Sequence, residues 1–455
     1  MNGSDPLDRP LHQARFVAVA LLAGVFTGVV GGLFHVVIDQ VLQWPTWLAR
    51  HAGGWRLIAA SAAITMAATV FAVFITRRFA PEASGSGVPE IEGAVQELRE
   101  VHWQRVLPVK FFAGIAAIGS GLVLGREGPT IHMGGSAALA ASDMCGVTGV
   151  DRRALLAAGG AAGLACAFNA PMSAVLFIIE ETRKEFPYTF RTYMGVFAAA
   201  ITGTTVTQLI AGARPELPMT AGEAGLAALP AFALMGALLG GVGVLFNLCI
   251  MRMLDFTATS QKRMPYLWPG IVGLAVGTLL VTAPRAVTGG ESVIAELALA
   301  TPGAGVLLML AGARLVTSVS SYSVGAPGGI FAPLLSLAAC LGLAFGVLAQ
   351  AAMPEAFSAL GLTPISFGVV AMAALFSASV RSPAVGVVLA LEITTAYALV
   401  LPMLTATLAA SLVAQWLGGR PIYEQMLDRI LARSAPVRAQ NAAIGLAANP
   451  NRPPG

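Results

Sequence analysis

A carboxylate and an arginine, fenced by two glycines and a proline, interrupt an otherwise apolar stretch at Gly125-Arg126-Glu127-Gly128-Pro129. Inserting an acid among lipid-like surroundings costs about 2.5 to 3.5 kcal/mol, so such a residue is usually retained because it is used. Proline is tolerated in the first turn of a helix, where its missing N–H had no partner to lose. Pro129 therefore predicts a helix opening just after Glu127. The free amides of that opening carry the positive end of the helix dipole and attract an anion. Glu127 can itself fill the anion place, and once protonated it loses the charge that holds it there. An Arg126–Glu127 ion pair is not expected, because adjacent residues on a helix do not face each other.

Two other segments repeat the device. In Gly85-Ser86-Gly87-Val88-Pro89, the Ser86 hydroxyl and nearby amides can form a cap-like cradle, with Glu90 and Glu92 suited to the first helical turn. In Gly325-Ala326-Pro327-Gly328-Gly329-Ile330-Phe331-Ala332-Pro333, Ile330 and Phe331 can offer backbone N–H groups while their side chains narrow a path. Three such helix starts argue for partial positive charges converging on one anion, held weakly enough to be released. Nothing suggests an enzyme or a cofactor. There is no H-E-x-x-H, the serines lack a neighbouring base, and His35 and His102 have no partners at metal-ligand spacing. His132 is expected to hydrogen-bond within the core, and Lys110 and Arg381 to pair with acids or helix ends.

The elements that position these residues must be membrane helices. Of 455 residues, 56% are hydrophobic and only 11% charged, against about 25% charged in a soluble domain; mean hydropathy is +0.76. Uncharged runs at 57–76, 192–213, 224–251, 264–284 and 393–419 are each read as able to cross about 30 Å of hydrocarbon. The net charge of +4 is scattered, which gives no footprint for nucleic acid. Arg77/Arg78, Arg183/Lys184 and Lys262/Arg263 follow apolar stretches and read as cytoplasmic, whereas the loop near Arg214 carries one basic residue. Cys145, Cys166, Cys249 and Cys340 read as small core hydrophobes. Residues 1–15 are expected to be a short cytoplasmic segment rather than a cleaved leader, 420–436 a cytoplasmic-side amphipathic helix, and 437–455 a flexible tail with no soluble regulatory domain.

Between Val106 and Glu181, and again from Ser318 to Val380, the apolar pattern breaks into short pieces separated by Gly, Pro and single charges. Broken backbone at membrane depth is tolerated only where protein or a cavity satisfies it. The run from Ala161 to Glu181 can be laid on that from Ala373 to Ile393 at a constant offset of 212, pairing Pro171 with Pro383 and Glu180 with Glu392. Two membrane repeats, 16–215 and 216–419, follow, with opposite topologies and paired half-helices around a central site. The fold expected is an all-α polytopic membrane protein, an inverted repeat of tilted, broken and re-entrant helices.

The segments GSGVPEIEG, GREGP, GAPGGIFAP and GGRPIYEQ, in this order, closely resemble those of the CLC family of chloride channels and chloride/proton antiporters, the bacterial antiporters above all. The resemblance runs from about Phe16 to Arg433. It implies that Ser86 and Tyr423 coordinate the central chloride by their hydroxyls, that Ile330 and Phe331 complete the site with backbone N–H groups, and that Glu127 is the external gate. It implies that Glu181 receives protons from the cytoplasm, with Glu180 beside the water route to it. An acid at Glu181 favours exchange over a passive voltage- or pH-gated channel. The serine at position 86 matches the chloride-type sequence, and GREGP and Tyr423 are unlike the fluoride-exporting branch. The expected protein is a multi-pass homodimer of the bacterial inner membrane. Its partners would be chloride, protons and lipid.

Overall fold

The computed structural model describes residues 10–182, 189–213, 217, 219, 222 and 224–433. Arg183, Lys184, Arg214, the start of the N-terminal segment and the tail 437–455 lie outside the described residues. In chain order the helices are α1 (Pro10–Val41), α2 (Trp44–His51), α3 (Gly54–Phe79), α4 (Val88–Val95), α5 (Trp103–Gly119) and α6 (Glu127–Met144). Then come α7 (Gly149–Phe168), α8 (Pro171–Thr182), α9 (Phe190–Ala211), α10 (Leu229–Arg263), α11 (Leu267–Thr282) and α12 (Glu291–Leu299). The series continues with α13 (Ala304–Tyr322), α14 (Phe331–Ala352), α15 (Pro354–Ala359), α16 (Pro364–Val380), α17 (Pro383–Thr394) and α18 (Val400–Trp416), and a last helix covers 422–433. Among the described residues seven helices are long and apolar enough to span a membrane, and the shorter ones supply the interruptions.

The distribution of side chains suits lipid outside and protein inside. On α3 the buried face carries Ser61, Thr65, Thr69 and Thr76, while Ile64, Phe71 and Phe74 are exposed. Small residues let helices approach closely where no water drives them together. Where α6 crosses α7, a Cβ on Gly163 would run into the Thr130 carbonyl and one on Gly134 into the Gly159 carbonyl. The two backbones touch there, and this contact fixes the helix that begins at Glu127.

One reading of the sequence needs refinement and another correction. The run 393–419 does contain a spanning stretch, Tyr397–Trp416, but its first two residues belong to the preceding helix. Helix α17 ends at Thr394, Thr395 takes a left-handed conformation (φ 59°), and α18 begins at Val400. Run 264–284 yields only the 16-residue α11, shorter than the roughly 20 residues an upright span needs.

The internal similarity has a structural counterpart. Asn169 and Arg381, 212 residues apart, are both left-handed C-caps, of α7 and α16 respectively, and each is followed by a short helix opening on proline. These short helices, α8 and α17, pack antiparallel. Glu392, near the end of α17, accepts from the amides of Met172 (2.9 Å) and Ser173 (2.7 Å) at the start of α8. Reciprocally, Glu180 accepts from the Val385 amide at the start of α17 (3.4 Å). Each helix thus has one or two of its first amides satisfied by its mate.

One end of the bundle is basic: Arg77, at the end of α3, donates to Gln261, near the end of α10, beside Arg78, Lys262 and Arg263. By the positive-inside rule this end faces the cytoplasm. Replacing Gly163 with leucine should separate α6 from α7 at a cost of about 1–3 kcal/mol. The expected outcome is loss of monodisperse protein on size-exclusion chromatography in detergent, whereas the lipid-facing change Phe112→Leu leaves the profile unchanged.

Candidate anion-binding site

The three glycine-fenced starts meet. Gly125 and Gly329 exchange backbone hydrogen bonds (3.0 and 2.7 Å), and Gly85 donates to the Ala326 carbonyl while Gly328 donates to that of Gly85 (3.1 Å each). Ser84 Oγ adds a bond to the Gly325 carbonyl (2.9 Å). Loops preceding α4, α6 and α14 are therefore laced into one unit. The glycines are required by space: a Cβ on Gly125 or Gly329 would collide with the Glu127 carboxylate, and one on Gly128 with Ser86.

Glu127 is the first residue of α6 and fully buried. Its Oε1 accepts a hydrogen bond from the Phe331 amide at 2.6 Å, at the start of α14. The amides of Glu127 itself and of Ala332 bear on the same carboxylate, more loosely, since Oε2 has no partner of hydrogen-bond geometry among the described residues. The carboxylate occupies the anion place of a 22-residue helix. Arg126 does not pair with it; its guanidinium lies 3.3 Å from Asp39 and 3.5 Å from Glu291.

Ser86 and Tyr423 lie deeper, on the cytoplasmic side. Ser86 does not cap its own helix, since Gly87 (φ 93°) is the N-cap residue of α4. Its amide instead donates to the Tyr322 hydroxyl (3.3 Å), which donates to Met426 Sδ (3.2 Å). Ser86 Oγ and Tyr423 Oη are buried and have no partner of hydrogen-bond geometry among the described residues, though they lie near enough to act on one another. Leaving a buried hydroxyl unsatisfied costs about 1–3 kcal/mol. Two unspent donors side by side at helix starts make a place for an acceptor. Ile330 is the buried N-cap residue of α14.

Around these groups stands an aromatic wall absent from the sequence reading. The Phe331 ring stacks with Phe168 (6.4 Å, 5°), meets Phe177 and Phe376 edge-on (5.5 and 4.7 Å), and lies 5.8 Å from Tyr423. A vestibule of about 900 Å³, lined by Gly85, Ser86, Glu90, Arg99, Tyr322 and Arg429 among others, opens below Ser86. Lys110, fully buried, donates to the carbonyls of Ala83 (2.9 Å) and Gly85 (2.7 Å) and so holds the serine loop. Arg381 donates to the Ser411 and Gly419 carbonyls around the end of α18. Both cations thus bind backbone carbonyls. His132 packs against Gly87, and neither ring nitrogen has a partner among the described residues, contrary to the expected core hydrogen bond.

Glu180 and Glu181 are partly buried near the end of α8, where Glu180 caps α17. The Tyr423 hydroxyl is within electrostatic reach of both Glu127 and Glu181. Sequence reasoning missed Tyr322 and Arg314. A lone arginine in the apolar α13 was the available signal for the second.

The sequence matches the family model "Voltage gated chloride channel" over residues 68–415. It is 43% identical over 422 residues to the H(+)/Cl(-) exchange transporter ClcA of Vibrio cholerae, covering 91% of this chain and 89% of that one. Identity to ClcA of Yersinia pestis is 40% over 428 residues, covering 92% and 89%. The fold superposes on a slow cyanobacterial Cl-/H+ antiporter with a TM-score of 0.88 and 31% identity, over 92% of this chain and 99% of that one. A CLC-type fluoride/proton antiporter shares the fold at a TM-score of 0.71 and 18% identity, over 91% and 98%. If the Glu127 carboxylate holds an anion's place, Glu127→Gln should admit a halide at the Phe331 amide. An anomalous bromide peak there in crystals of the variant, and none in the parent, is the expected result.

Proposed function

The chain belongs to the voltage gated chloride channel family, and from that premise we propose how its site couples two ions. The protein is a secondary active antiporter that exchanges chloride for protons across the bacterial inner membrane, a multi-pass transporter and not an enzyme. Chloride enters from the cytoplasmic vestibule and is held by the Ser86 and Tyr423 hydroxyls with the amides of Ile330 and Phe331. The four groups that hold it are hydroxyls and amides without a full positive charge, so it is not trapped. Glu127 is the gate. As a carboxylate it takes the start of α14 in competition with the anion, and protonated it loses the dipole attraction and leaves that place to chloride.

The observation that carries this reading is the 2.6 Å bond from the Phe331 amide to Glu127, next to two buried hydroxyls that have no partner of hydrogen-bond geometry among the described residues. The proton leaves or reaches Glu127 by way of Glu181, a reading supported by the Tyr423 hydroxyl being within electrostatic reach of both acids. Glu180, already committed to capping α17, borders that route. The membrane part comprises two inverted repeats, 16–215 and 216–419, supported by the antiparallel α8/α17 pair. Two copies associate, each with a complete pathway, since all the residues invoked come from one chain.

In proteoliposomes, an imposed chloride gradient should drive uphill proton movement recorded by a pH electrode. Chloride flux with no proton movement would mark a passive channel instead. Glu127→Gln should retain chloride flux and abolish coupling to protons. Glu181→Gln should likewise conduct chloride with weakened proton coupling, and loss of chloride flux alone would contradict the role given to it.

A further inference from the structure

Arg126 precedes the gate by one residue, is the N-cap residue of α6, and is only 6% exposed. Its Nη1 lies 3.3 Å from Asp39 Oδ1 on α1, and its Nη2 lies 3.5 Å from Glu291 Oε2 at the first position of α12. His35, one turn before Asp39, places Nε2 3.4 Å from Asp39 Oδ2. The Asp39 and Glu291 side chains are 51% and 21% exposed. Both acids therefore stand on the solvent side of the arginine, at the end of α1 remote from the cytoplasm. Among the described residues His35 and Asp39 from α1 and Glu291 from α12 face Arg126, while Glu127 is its chain neighbour and does not pair with it. Arg314 of α13 bears on Glu291 from the other side.

Glu291 is held in a fixed place. The fully buried Arg314 guanidinium donates to the carbonyls of Arg285, Val287, Thr288 and Gly289 and to Ser336 Oγ, at 2.7–3.1 Å. It thereby ties the loop before α12 to α14, the helix whose start holds Glu127. Gly290 (φ 107°) packs so tightly on Arg314 and Ser336 that a Cβ would collide with both. The Thr288 amide donates to the Gly121 carbonyl (3.0 Å), pinning the same loop to the segment leading into the gate. Glu291 consequently lies within electrostatic reach of Glu127.

Resting on the gate role given to Glu127 above, we propose that Glu291 and Asp39 are positioning residues that neutralise Arg126 and so set the external pH at which the gate opens. With both acids ionised, the charge beside Glu127 is offset. Losing either leaves Arg126 in excess, which favours the ionised, closed carboxylate, and more acid is then needed to release it. Losing Arg126 has the opposite sign, because the acids then oppose ionisation of Glu127. This device concerns the outer face alone and is separate from proton delivery through Glu181.

The test is chloride/proton exchange in proteoliposomes as a function of external pH. Glu291→Gln and Asp39→Asn should each move the acid activation of exchange to lower pH, by on the order of one unit for Glu291→Gln, with the rate at saturating acid retained. Arg126→Gln should move it to higher pH, and Glu291→Asp, which keeps the charge, should stay near the parent profile. In a Glu127→Gln background, Glu291→Gln should leave the uncoupled chloride flux independent of external pH. An unmoved midpoint in both acid variants, a uniform loss of rate without displacement, or a shift persisting in the Glu127→Gln background would overturn the proposal. Should Glu127→Gln alone remain fully coupled, the gate assignment fails rather than the charge pair.

Discussion

The hydrogen bond from the Phe331 amide to Glu127 joins two helix starts 204 residues apart in the chain, and the rest of the core is arranged so that this bond can form. Helix α6 must begin at that point, which the touching backbones of α6 and α7 enforce. Helix α14 must begin opposite, which the paired hydrogen bonds of Gly125 and Gly329 enforce. Only residues without a Cβ fit in the space that remains beside the carboxylate. The same constraint accounts for Lys110, whose ammonium group is spent on the carbonyls of the third loop.

The apolar core of this protein also encloses many polar side chains, and their polarity is not evenly satisfied. Thr65 donates to the Ser120 carbonyl and Ser61 to that of Gly277, so the hydroxyls between α3 and its neighbours serve packing. Ser86 and Tyr423 do not. Among the described residues their hydroxyls have no partner of hydrogen-bond geometry, at a place where helix starts converge beside the aromatic rings around Phe331.

Much of this was legible in the sequence because glycine, proline and a misplaced charge are local signals. The immediate neighbours of Glu127, Ser86 and Phe331 mark them as helix starts, and the offset of 212 residues that pairs Pro171 with Pro383 also relates the caps Asn169 and Arg381 seen in the structure. The break at Thr395 was not legible, because an uncharged run gives no warning of a single residue with positive φ. Nor was the partner of Arg126, since Asp39 and Glu291 come from distant segments. The aromatic wall was hidden for a similar reason. Phe168, Phe177 and Phe376 are ordinary core residues in sequence, and only their convergence on Phe331 sets them apart. That Ser86 sends its amide to Tyr322 rather than capping α4 likewise depends on a contact 236 residues away.

The reciprocal caps of α8 and α17 bear on how the protein is made. Glu392, which satisfies the first amides of α8, is synthesised 220 residues after Met172. During translation the first half therefore waits in the bilayer with that helix end unfinished, and the seam closes only when α17 arrives. Assembly of the two halves and completion of their central helices are one late event, and a chain truncated before α17 would present an open polar end to the insertion and quality-control machinery.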